Sequence, residues 1–146
     1  MSTITDLTRE APRSPRQRLG GYDILARAVD KGRATLAGKP GEYHFDCPVD
    51  NMLFSFKGVK GDDFKRILAS GTADDGVLAW LNAQGAKKTP EEIKAWSESV
   101  EGLHPYGNPA QKEWFSGECA RLKLDPAATS LFDYLEEDDR QTFAGK

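Results

Sequence analysis

From residue 22 onward, apolar residues recur three and four positions apart, the spacing of one face of an α-helix. In "YDILARAVDKGRATL", Leu25, Ala28, Val29 and Leu36 fall on one face, and the Gly and Pro of "AGKPG" (37–41) stop the helix. The chain then repeats one device, a capping-type residue, a proline and an apolar face: "CPVDNMLFSF", "TPEEIKAW", "NPAQKEWF" and "DPAATSLFDYL". Proline suits the first helical position because its missing N–H would be unpaired there anyway. Thr89 with Glu92 has capping-box spacing, Asn108 with Gln111 repeats it, and Asp125 is placed to accept from the amides opening the last helix. The apolar faces are Ile93, Trp96 and Val100; Phe115, Cys119 and Leu122; and Ala128, Leu131, Phe132 and Leu135. "DDFKRILASG" and "DDGVLAWLNAQG" read as two further helices ending at Gly71 and Gly85. No long alternating pattern competes, and "EGLHPYGNP" (101–109) reads as a loop. The expectation is a single all-α domain over 1–146, about seven short helices in an irregular or orthogonal bundle. An extended arm (1–18), kept from helix by Pro12 and Pro15, precedes it, and an acidic tail (136–146) closes it.

At 146 residues with three Trp, seven Phe and four Tyr, the chain can bury a core without metals or disulfides, although its mean hydropathy is only -0.60. A net charge of -3 argues against a nucleic-acid partner. The charge is uneven. Residues 1–33 carry seven basic groups against four acidic, and residues 125–146 six acidic against two basic. Arm and tail are therefore either solvated or paired with each other. No secretory h-region and no apolar run long enough to span a bilayer is present, so a cytoplasmic protein with no membrane partner is expected. Cys47 and Cys119 fit no disulfide framework. Trp80, Trp96 and Trp114 fall at core-like positions, and Phe143 either docks on the body or meets a second copy, so a monomer or a homodimer is compatible with the pattern.

Two candidate sites emerge. The first lies in "EYHFDCPVDNM" (42–52), where Cys47 precedes Pro48 and would occupy a helix N-cap. Free amides and the positive end of the helix dipole favour a thiolate there. His44 would be the base and Asp46 or Asp50 its orienter, giving an enzyme or redox sensor with Cys47, His44 and Asp50 as catalytic residues. Against this, Asp50 at N3 competes for the same amides, and adjacent residues of an extended segment point to opposite sides, so His44 and Cys47 need not face each other. The plain alternative is a small buried residue at a helix start. The second candidate is a ligand-binding face for a small anionic metabolite, built from Arg13, Arg16, Tyr22, Arg27 and Lys31. Its counter-reading is internal pairing, with Asp23 and Asp30 beside Arg27 and the tail carboxylates beside the arm. A protein–protein interaction role without any ligand is the third reading. The two histidines fit no zinc pattern, "EEDD" lacks a calcium loop, and no Gly-rich phosphate loop is present, so no metal and no cofactor are expected.

The motif order "PRSPRQRLGGYDILARAVDKGRA", "LAGKPGEYHFDCPVDNMLFSFKGV", "ADDGVLAWLNAQG", "TPEEIKAWSESVEG" and "DDRQTF" resembles a bacterial family, domain-of-unknown-function family 5069, over residues 5–144. The resemblance implies a small single-domain bacterial protein. It carries over no activity, cofactor or catalytic residue.

Overall fold

A computed structural model of the chain describes residues 3–144; the first two residues of the expected arm and the last two of the expected tail lie outside them. Among the described residues there are seven α-helices: α1 (Leu25–Leu36), α2 (Pro48–Lys57), α3 (Gly61–Ala69), α4 (Asp74–Ala83), α5 (Pro90–Glu101), α6 (Lys112–Leu122) and α7 (Leu131–Phe143). Two short 3-10 helices, Pro105–Gly107 and Pro126–Ala128, flank α6. The only sheet-like pairing among these residues is an isolated antiparallel bridge between Leu19 and Tyr22. The fold is all-α.

Helix α1 is the axis. Every residue from Leu25 to Gly32 is buried, polar ones included, so the amphipathic face read from the sequence is only part of what the helix covers. It packs on α2 and α3. Gly32 allows the closest approach: a Cβ there would run into Leu68 and press on Phe45. Beneath it, Phe54 and Phe64 lie 5.0 Å apart, with Phe45 and Trp80 at 6.0 and 6.1 Å from Phe64. A second centre joins α6 to α7 through Phe115 and Tyr134, 5.6 Å apart and edge-to-face. Each fully buried ring, such as Phe54, Phe64 and Phe115, contributes about 1.5–3 kcal/mol by leaving water.

Several boundaries move from their expected places, each for a local reason. The first helix starts at Leu25, after the turn at Gly20 and Gly21 and after Ile24, whose φ of 73° is not helical. Asn108 caps a turn rather than a helix: its Oδ1 accepts from the Ala110 amide, and α6 begins only at Lys112. Asp125 likewise accepts from Ala127 and closes one 3-10 turn. The last helix starts afresh at Leu131, where Ser130 and Asp133 form a reciprocal capping box at 3.1 and 3.2 Å. Ala128 is consequently exposed rather than part of an apolar face. Thr89 and Glu92 do form the expected capping box. Trp114 is 51% exposed and Leu36 43%, so neither is a core residue.

The expected tail is not a tail. Residues 136–143 are the second half of α7, and of its acidic run Glu136 meets the arm, Asp138 meets Arg121 and Asp139 meets Arg27. Among its described residues, 3–18, the arm carries no helix, and it is laid down on the body. Pro12 and Pro15 are buried, the Leu7 amide donates to the Lys39 carbonyl, and the Ile24 amide donates to the Pro15 carbonyl. Arg16 reaches Asp133 at 2.6 Å and also binds Glu136, to which Ser14 donates at 2.6 Å.

Candidate functional site

One helix carries the charges that matter. Arg27, Asp30 and Lys31 of α1 are all buried, and Asp23 lies buried just before it. Buried charges must be matched, and here each is matched by a different neighbour. Arg27 donates through both terminal nitrogens to Asp139 on α7, at 2.7 and 3.1 Å, and its guanidinium lies 5.5 Å from the Tyr43 ring centroid. The Tyr43 hydroxyl donates to the same carboxylate at 2.7 Å, and burial together with that carboxylate pushes the Tyr43 phenol well above its ordinary range. Asp30 accepts from the Arg13 side chain and backbone. Asp74, on α4, lies between Arg13 and Arg33 at 2.8 and 2.9 Å. Burial alone would raise its pKa, but the two guanidinium groups hold it below the usual carboxylate range.

Lys31 is the link to the thiol. Its ammonium donates to Cys47 Sγ at 3.1 Å and stands 3.0 Å from Asp50 Oδ1. The second contact is close but off the hydrogen-bonding direction, so Oδ1 stays a fully buried oxygen with unused acceptor capacity. The other oxygen, Oδ2, accepts from the Asp46 and Cys47 amides at 2.9 and 3.4 Å. Cys47 is the N-cap of α2, as the sequence places it, and is half-buried. Asp46 adopts φ 63°, and Asn51 ties the turn by donating to its carbonyl and its side chain. Cys119 is fully buried on α6, and burial raises its thiol pKa.

The catalytic set read from the sequence is thus rearranged. Cys47 and Asp50 are together, but their third member is Lys31. His44 is exposed, and no hydrogen bond among the described residues joins it to Cys47 or Asp50. The side chains expected to form an anion face are spread over separate pairs. Arg13 meets Asp30 and Asp74, Arg16 meets Asp133 and Glu136, Arg27 meets Asp139, and Lys31 meets Asp50. Tyr22 is completely buried and donates its hydroxyl to Asn82 at 2.8 Å. A cleft of about 450 Å³ does open beside Arg13, Gln17 and Arg33, but an anion entering it would compete with Asp30 and Asp74. Arg27 does not pair with Asp23, four residues before it.

Asp23 belongs to a group that the sequence did not disclose. It is wholly buried, Arg18 approaches its Oδ1 at 3.3 Å, and the same guanidinium binds Glu101 at 2.9 Å. Its Oδ2 has no hydrogen-bond partner among the described residues. Burial first and the neighbouring Glu101 carboxylate second raise the Asp23 pKa to about 8, against the opposing pull of Arg18. Tyr43 and Asp139 were also missed. Nothing in local spacing links residue 27 to residue 139.

Among the described residues, no three His, Cys, Asp or Glu side chains converge to hold a metal ion, and no helix is long and apolar enough to cross a membrane. The family model described as Domain of unknown function (DUF5069) matches residues 9–141, and the chain belongs to that family. No curated protein matches it.

Proposed function

We propose that this member of the family is a thiol-dependent, redox-responsive protein of the cytoplasm, with Cys47 as the reactive group. The observation that carries the reading is the 3.1 Å contact from the buried Lys31 ammonium to a half-buried sulfur at a helix N-cap. A cation and free helix amides are the surroundings in which cysteines react, whereas a packing cysteine such as Cys119 has neither reach nor charge. Two free cysteines fit a reducing compartment. Lys31 holds the sulfur, Asp50 holds Lys31, and the Arg27–Asp139–Tyr43 group packs the same helix against α7. His44 has no part in this reading. The anion-binding reading is weaker, because its cations already have carboxylate partners.

Iodoacetamide alkylation of the native protein, mapped by mass for each cysteine, tests it. Cys47 is expected to be modified while the protein is folded, and Cys119 only on unfolding. Lys31→Met should slow Cys47 without exposing Cys119. A Cys47 that stays unmodified until the protein unfolds would refute the proposal.

A further inference from the structure

Lys31 does more in this geometry than contact a sulfur. We propose that oxidation of Cys47 by a peroxide closes a covalent, reducible bond between its sulfur and Lys31 Nζ. The inference rests on the thiol reading above and adds what becomes of the oxidised sulfur. Three observations carry it. Nζ is already 3.1 Å from Sγ. The Lys31 side chain is 5% exposed, so it is held in place rather than sampling solvent. Asp50 Oδ1, wholly buried and lacking a hydrogen bond, stands 3.0 Å from the same nitrogen.

The chemistry balances in two steps. The Cys47 thiol attacks the peroxide; an S–O bond forms, the O–O bond breaks, and one water leaves, with sulfur oxidised and peroxide reduced to the sulfenic acid and water. Lys31 then passes a proton to Asp50, and its freed lone pair attacks the sulfenyl sulfur. The S–N bond forms, the S–O bond breaks, and hydroxide departs with the second amine proton as another water. The product is a neutral sulfenamide beside a protonated Asp50. A sulfenic acid condenses in this way with a nearby nitrogen, and a fixed nucleophile replaces a bimolecular encounter by an intramolecular one. A dithiol returns the pair to thiol and amine by supplying two electrons. The bond replaces a buried ion pair between α1 and α2 by two neutral groups, with no change in net charge.

The full chain is treated with hydrogen peroxide and read by intact mass and non-reducing peptide mapping. The expected product has lost about 2 Da, resists trypsin after Lys31, and yields one peptide joining Lys31 to Cys47. Dithiothreitol should restore the original mass. Lys31→Arg, which keeps the positive charge, should instead accumulate a species about 16 Da heavier that dimedone traps. If the wild-type protein itself stops at that dimedone-trapped acid, runs on to the sulfinic acid, or forms a Cys47–Cys47 dimer, the bond is refuted while the reactive thiol stands. If Cys47 takes up neither oxygen nor alkylating agent, both readings fall.

Discussion

Asp23→Asn separates a buried carboxylic acid from a buried carboxylate. The folded-state pKa of Asp23 is raised to about 8, through burial first and Glu101 second, against an ordinary value of 3.8. Between those values the folded protein holds a proton that the unfolded chain has released. The stability this contributes is complete below about pH 4 and is lost as the pH rises through about 8. Where one state holds the proton and the other does not, the slope is about 1.4 kcal/mol per pH unit. From pH 6 to pH 8 the protein should therefore lose about 2 kcal/mol, which for a chain of this size is a Tm drop of roughly 4–8 °C. Glu101 does not offset this, because its pKa is lowered and it is already ionised across that window. An asparagine imitates the protonated acid at every pH, so Asp23→Asn should remove this loss. The assay is a pair of urea or thermal unfolding curves at pH 6 and pH 8 for both proteins, with the difference between them cancelling all other titrating groups. Equal losses in wild type and variant would show that Asp23 is ionised in the folded state at neutral pH, and the reasoning would fail.

Two more outcomes follow from matched pairs elsewhere in the fold. Arg27→Met strands Asp139 in a poorly solvated place and should cost about 3–5 kcal/mol by denaturant unfolding; Arg27→Met with Asp139→Leu should recover much of that, and a double variant no better than the single one would mean the damage is packing rather than an orphaned charge. Ser130→Ala removes the cap that starts α7 five residues later than the proline pattern implies, and should cost about 1 kcal/mol in the same measurement; no change would show that the Asp125 turn carries the helix start.

The thiol pair and the ion pairs of Arg27 and Asp30 share a cause. Helix α1 is enclosed on nearly every side, so polar residues that would face water on a peripheral helix are driven inside it. Each then has to be met by a specific partner, and the partners come from the arm, α2, α4 and α7. The close contact between Lys31 and Cys47 exists because α2 crosses that enclosed helix at its N-cap.

Seven helices, the proline-led starts of α2 and α5, the Thr89–Glu92 box and the N-cap position of Cys47 were all legible in the sequence. Each depends on contacts within about four residues, where geometry follows from residue type. The errors have the same scale: Asn108 and Asp125 are good caps, but whether a cap opens a helix or one short turn depends on what the following residues pack against. The sequence also held both answers for its charges, a ligand face or internal pairs, and spacing could not choose. Arg27 and Asp139 are 112 positions apart, and Lys31 and Cys47 are 16. Only the packed structure decided that α7 would lie along the arm, that Lys31 rather than His44 would meet the thiol, and that Asp23 would lie buried beside Glu101. Burial and long-range pairing are properties of how helices cross, and no local pattern encodes the crossing.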